Sequence, residues 1–356
     1  MSTTLQRKSF ASDNNSGIHP AVVAALQAAN AGDAVGYGAD PWTAAATAQF
    51  RQLFGADAAV YFVFNGTGAN VLALSCALEP YHAVICARGA HVDVDECGAP
   101  ERVIGCKLMP VATPDGKLTP ELIAPHLTGF GVQHHVQPGA ISITQSTELG
   151  TVYTAPEIRA IADLAHAHRM VVHVDGARIA NAAAALALPV RAFTRDVGVD
   201  VVSFGGTKNG LMLGEAVVLF DPGLAQRATY LRKQQMQLAS KMRFIAAQFG
   251  ALLADDLWLA NAAQANRMAA LLARRLRDIP EVTITRQVQA NAVFAIVPGA
   301  IIAPLQEQYF FYVWNAVRNE VRWMTSFDTT EADVGEFVAA VRRALAIALH
   351  PPRHPR

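Results

Sequence analysis

Along the first two thirds of the chain, apolar positions switch between two periods. Short apolar runs rich in β-branched residues occur at 58–65, 82–86, 140–145, 170–174 and 199–204, with a further one at 215–220. Turn residues bound these runs, as expected of buried strands. Between them, helical spacing marks 21–31, 41–54, 69–77 and 155–168. Pro41 opens one of these helices and Gly55 stops it. Strands alternating with helices predict an α/β fold, a large domain whose mostly parallel sheet is covered by helices.

Beyond about residue 225 the pattern changes. Alanine- and arginine-rich helical stretches run to about 278. Apolar runs at 282–285, 292–297 and 320–325 follow, then a closing helix over 332–349. These predict a smaller C-terminal α+β domain. The expected division is an N-terminal arm over 1–20, a large domain over 21–260 and a small domain over 261–356. The arm is polar and turn-rich, so something else must hold it.

Composition narrows the function classes. Of the 356 residues, 52% are hydrophobic and 16% charged, which predicts a large core and some surface covered by other subunits. Twenty-nine basic residues balance 29 acidic ones, so nothing steers the chain to nucleic acid or an anionic membrane. The four cysteines (Cys76, Cys86, Cys97, Cys106) form no CxxC pair, and no histidine stands at zinc-finger spacing. No metal centre is expected. Without a signal-like segment or a membrane-length apolar run, reduced thiols and a cytosolic location are expected.

In a doubly wound sheet, ligands bind beyond the carboxyl ends of the strands. Four predicted strand ends carry chemistry. Gly66-Thr67-Gly68 offers backbone N–H groups at a helix start, suited to a phosphate or to a plain tight turn. Asp175 ends an apolar strand, where a carboxylate needs a partner. A protonated pyridine nitrogen is one partner, and helix capping is the alternative. Arg178, three residues on, suits a cofactor oxygen or a substrate carboxylate. Lys208 stands in Gly205-Gly206-Thr207-Lys208-Asn209-Gly210, directly after a buried strand. It is either an imine-forming lysine or a loop lysine, and Thr207 beside it is a candidate phosphate donor. His91 is a candidate for ring stacking and proton transfer, with Glu96 as its relay partner, although most loop histidines are merely polar.

The order of these pieces resembles the low-specificity L-threonine aldolases, enzymes of pyridoxal 5′-phosphate (PLP) with the aspartate-aminotransferase fold, in the β-eliminating lyase group. The most specific segments are His173 to Arg178 and Ser203 to Gly210, and the resemblance runs from Ser12 to the segment containing Arg322. It implies that Lys208 joins PLP, that Asp175 pairs with the pyridine nitrogen, and that Gly66, Thr67 and Gly68 hold the phosphate. It implies that His91 stacks on the ring and serves as a base. Arg178 and Arg322 would bind the substrate carboxylate, assisted by Ser12. Lys233 and Arg243 would serve a neighbouring subunit's site in a homotetramer built from dimers.

The sequence departs from the family in two places. Many members carry Glu-Asn-Thr-His, whose histidine touches the substrate hydroxyl. Here the stretch is Thr144-Gln145-Ser146-Thr147-Glu148, and Thr147 takes the histidine's place, which leaves the threonine versus allo-threonine preference open. Gln234-Gln235-Met236-Gln237 stands where glycines are common. The expected reaction is retro-aldol cleavage of L-threonine, L-allo-threonine or a bulkier substrate such as L-phenylserine. PLP-dependent β-elimination, racemisation and transamination remain alternatives with the same lysine and aspartate. A dehydrogenase is disfavoured because the first glycine turn lacks GxGxxG.

Overall fold

The computed structural model describes residues 8–349. The rest of the predicted arm and the last seven residues lie outside the described residues. The chain divides into two compact units. One is Ile18–Leu259. The other joins residues 8–17 to 260–349. Among the described residues, no helix is long and apolar enough to cross a membrane.

The larger unit is built on seven strands: β1 (Ala59–Val63), β2 (His82–Ala87), β3 (Lys107–Val111), β4 (Gln137–Thr144), β5 (Val171–Gly176), β6 (Val201–Gly205) and β7 (Glu215–Leu219). Their order is β1-β7-β6-β5-β4-β2-β3. The five strands from β6 to β3 run parallel, and β7 is antiparallel to both β6 and β1. Every residue of β6 and β7 is buried, as expected of strands covered on both faces. β3 went unread in the sequence because Lys107 and Pro110 interrupt its apolar run. It is an edge strand, where proline is tolerated.

The helices of this unit are α1 (Pro20–Ala29), α2 (Pro41–Phe54), α3 (Gly66–Ala77), the short α4 (His91–Val94), α5 (Ala99–Ile104) and α6 (Pro120–Ile123), then α7 (Ala155–Ala167), α8 (Ile179–Leu186), α9 (Pro222–Gln234) and α10 (Arg243–Leu253). α2 matches its predicted bounds. Asp40 caps it by accepting the Thr43 N–H at 2.8 Å, and Gly55 ends it at φ 118°. Phe50 of α2, Phe204 of β6 and Phe249 of α10 form an aromatic core with ring centroids 5.1–6.4 Å apart. That core lies beneath the turn carrying Lys208.

The smaller unit has four antiparallel strands, β8 (Thr283–Ile284), β9 (Ala292–Ile296), β10 (Tyr312–Asn315) and β11 (Glu320–Met324), in the order β10-β11-β9-β8. Its helices are the end of α11 (Leu257–Leu276), α12 (Gly299–Gln306) and α13 (Glu331–Leu349). Residues 8–17 join its core through Phe10. Phe10 is fully buried, its ring centroid lies 4.4 Å from that of Phe337, its N–H donates to Phe310 O and its carbonyl accepts from Met324 N.

Candidate active site

Strand direction gathers the chemistry. The parallel strands β2, β4, β5 and β6 end at one edge of the sheet. The antiparallel pairing of β7 brings its first residue there too, with Glu215 opposite both Gly205 and Val63. The segments after β1, β2, β4, β5 and β6 therefore all open onto this edge.

Asp175 sits there, buried, with Thr144 of β4 and Ser203 of β6 as its register partners. Its Oδ1 accepts the Ala177 N–H at 3.0 Å. Its Oδ2 accepts from Asn70 Nδ2 at 2.9 Å. The same amide nitrogen donates to Glu96 Oε1 at 2.7 Å. Asn70, on α3, thus bridges two buried carboxylates. Sequence reasoning missed it because it lies inside a small-residue helix that reads as packing.

Glu96 and His91 form the expected pair, with His91 Nδ1 2.9 Å from Glu96 Oε1. The bond to Glu96 is the main cause that raises the His91 pKa above the ordinary imidazole value, and burial opposes it. Burial raises the Glu96 carboxyl, and its bonds to His91 and Asn70 hold it back. The His91 side chain is 35% exposed, so one side of the ring stays open.

The stretch after β4 corrects the sequence reading. The hydroxyl of Thr147 is turned into its own loop, 2.6 Å from Thr151 Oγ1. The residue that reaches the cluster is Glu148. Its Oε1 accepts the His91 N–H at 2.8 Å and the Thr144 hydroxyl at 3.0 Å. Burial and then the charge of Asp175 raise its pKa. His91 is thus fixed at its backbone by Glu148 and at its ring by Glu96.

Lys208 occupies a short turn, Thr207–Asn209, directly after β6. Its charge acts on both His91 and Glu215. The glycines before it answer to packing: a Cβ on Gly205 would stand 2.4 Å from Ala177 O, and one on Gly206 2.7 Å from Gly214 O. Thr207 was expected to face a phosphate. Its hydroxyl instead accepts the Gly214 N–H at 3.2 Å and closes the turn.

The predicted glycine turn is the first turn of α3. Asn65 caps the helix and takes the Gly68 N–H at 2.7 Å. The N–H groups of Gly66 and Thr67 are left without helical acceptors, while that of Gly68 is taken by the Asn65 cap. Gln237 stands where a glycine is common elsewhere. It accepts the Phe64 N–H at 3.0 Å and covers Gly68. Gln235 donates to Ser75 Oγ at 2.7 Å, so both glutamines tie this loop to α3.

His173, fully buried in β5, bridges Ser142 of β4 (2.9 Å) and Ser203 of β6 (3.0 Å). Burial pushes its pKa down to about 4, so a neutral ring stitches three strands beneath Asp175. Arg178 is half-buried at the residue before α8. Lys233 lies over the Tyr37 ring at 5.1 Å, and Arg243 donates to Gly32 O at 2.9 Å. Within one chain these two side chains contact the 32–40 segment. Ser12 and Arg322 belong to the smaller unit. Ser12 caps Asp13–Asn15, and Arg322 packs on the Trp314 ring at 4.8 Å.

His91, Glu96 and Asp175 carry ligand atoms within 4.8 Å of one another. The Asn70 amide points its hydrogens at both carboxylates. That donor ties the two carboxylates into one hydrogen-bonded network. All four cysteines are free, and burial pushes the Cys76 and Cys86 thiols up to about 12.

The family described as Beta-eliminating lyase matches residues 9–299, and the chain belongs to it. A low specificity L-threonine aldolase from a Pseudomonas species is 43% identical over 96% of this chain and 99% of its own length. One from Pseudomonas aeruginosa is 44% identical over 94% of this chain and 96% of its own. A solved threonine aldolase from Leishmania major superposes with a TM-score of 0.89, at 31% identity, covering 94% of this chain and 98% of that one.

Proposed function

We propose that this chain is a PLP-dependent aldehyde-lyase that cleaves L-threonine, L-allo-threonine and related β-hydroxy-α-amino acids to glycine and an aldehyde. The observation that carries this reading is the His91–Glu96 pair beside buried Asp175, at the sheet edge where the turn carrying Lys208 also opens. The names of the relatives support the substrate class.

The residues fit PLP. Glu96, Glu148 and Asp175 crowd three carboxyl groups against one lysine and one histidine. Each of the first two has its pKa raised, with the Asp175 charge among the causes. A site with that surplus of negative charge favours a cationic ring nitrogen beside Asp175. The Gly66 and Thr67 N–H groups at the start of α3 suit the phosphate, helped by the helix dipole.

When bound, PLP accepts the electron pair left on Cα as the Cα–Cβ bond breaks. Lys208 supplies the amine that joins it. Asp175 holds the negative charge that keeps its ring nitrogen protonated. The side chain of Asp175 cannot drift, because Asn70 and the Ala177 N–H occupy its two oxygens. Glu96 accepts Nδ1–H of His91 and leaves Nε2 as the basic nitrogen. His91 Nε2 takes the substrate's β-hydroxyl proton as the Cα–Cβ electrons move to Cα and the β-carbon becomes a carbonyl. A proton added at Cα then completes glycine. Arg178, Arg322 and Ser12 are proposed to bind the substrate carboxylate. A cytosolic tetramer is proposed, with Lys233 and Arg243 serving a neighbouring subunit's site.

The direct test is product identity. Offered L-threonine, L-allo-threonine and L-phenylserine, the PLP-loaded protein should release glycine and aldehyde in equal amounts. Ammonia with a keto acid would assign β-elimination instead.

Two further outcomes follow from the site. His91 acts as a base only when neutral, and its pKa is raised by Glu96. The rate should therefore fall on the acid side from a midpoint above the usual ~6.5. Glu96→Gln removes the charged partner, lowers the His91 pKa and should move that limb to lower pH. A limb that stays put in kcat/KM profiles would remove His91 from the proton transfer. Arg322→Ala should raise KM about 10- to 100-fold with kcat kept, the scale of one charge-assisted hydrogen bond. An equal fall in kcat would show that Arg322 acts in the chemical step.

A further inference from the structure

We propose that Glu215 is a positioning residue for Lys208: its buried carboxylate clamps the turn that carries the lysine and supplies the negative charge that keeps the lysine nitrogen protonated. This rests on the reading of Lys208 as the amine that joins PLP.

The geometry comes from the β6–β7 hairpin. Glu215 lies opposite Gly205 in register, so its side chain meets the residue that follows β6. Its Oε2 accepts the Gly206 N–H at 2.5 Å. The hydroxyl and the backbone N–H of Thr207 also bond the carboxyl. Apolar side chains pack around the turn. A Cβ on Gly206 would meet Leu211 and Phe249, and one on Gly214 would meet Ile245.

A carboxylate is a costly choice for such a place, and burial pushes its pKa up to about 7. A glutamine oxygen would accept the Gly206 N–H as well. The turn has other, neutral restraints. Thr207 Oγ1 holds the Gly214 N–H at 3.2 Å, Gln248 Oε1 holds Met212 N–H at 2.8 Å, and Asn209 Nδ2 donates to Trp258 O at 2.9 Å. What the carboxylate adds beyond these is charge. The charged groups at this edge are Lys208 in the turn, Glu215 from β7, His91 from α4, Asp175 and Arg178 at the end of β5, and Glu96 and Glu148 beside His91; of these Glu215 is the carboxylate that bonds the lysine's own turn. The residues that α10 and β1 bring to this place are Ile245, Gln248, Phe249 and Val63, all uncharged.

The test titrates the absorbance of lysine-linked PLP against pH in the full, PLP-loaded chain. Glu215→Gln keeps an acceptor for Gly206 and loses the charge. Its midpoint should fall by about one pH unit, the lower end of a nearby charge's effect, and the rate profile should move the same way. Glu215→Asp keeps the charge on a shorter arm. It should hold the midpoint near wild type while slowing PLP uptake, because the clamp on Gly206 is lost. An unchanged midpoint in Glu215→Gln, or an equal fall in Glu215→Asp, overturns the proposal and leaves the reading of Lys208 intact. An absorbance band that survives in Lys208→Ala overturns both.

Discussion

Lys208→Ala should lose the absorbance of lysine-linked PLP and lower turnover by a factor on the order of 10⁴ or more, the scale seen when a covalent catalytic group is removed. Folding should be spared. The turn is held by Glu215, Thr207, Asn209 and Gln248, none of which depends on the lysine side chain. Turnover within tenfold of wild type, at equal protein loaded with PLP, would show that another amine does the work.

Asp175→Ala should lower the rate by a factor on the order of 10²–10³, as for removal of one preorganised electrostatic group. The loss should fall on kcat, because the charge matters most when an electron pair is moving into the ring. Asp175→Ala also strands Asn70, which would then bond Glu96 alone. Asp175→Asn keeps the shape and fills the same hydrogen-bonding space without the charge. A near-normal kcat in Asp175→Asn would show that shape rather than charge is what the site needs.

The sheet was legible in the sequence because buried strands announce themselves by apolar runs between turn residues. Six of the seven strands of the larger sheet coincide with runs read directly, five of them within two residues at each end and β4 beginning at Gln137 rather than 140. The exception, β3, is an edge strand whose Lys107 and Pro110 break its apolar run. Lys208, Asp175, His91 and Glu96 were legible for a related reason. Lys208, His91 and Glu96 come after strand ends and Asp175 is the next-to-last residue of β5, and parallel strands place such residues at one edge.

What the sequence hid depends on direction rather than position. Thr147 and Glu148 are adjacent, and periodicity cannot say which of them turns toward His91. Thr207 stands beside Lys208, and only the β6–β7 hairpin shows its hydroxyl facing Gly214. Asn65 was a signal that went unused. An asparagine three residues before Gly68 is a helix cap, and it makes the glycines a helix start rather than a free turn. Asn70 and Glu215 carry no such local mark. Their roles arise from partners 26 to 105 residues away for Asn70 and from strand register for Glu215.

The most direct test of the account is borohydride reduction of the PLP-loaded protein followed by peptide mapping. One pyridoxyl group per chain is expected, on the peptide containing Lys208. A label on a different lysine, or none in protein that still turns over L-threonine, would contradict it.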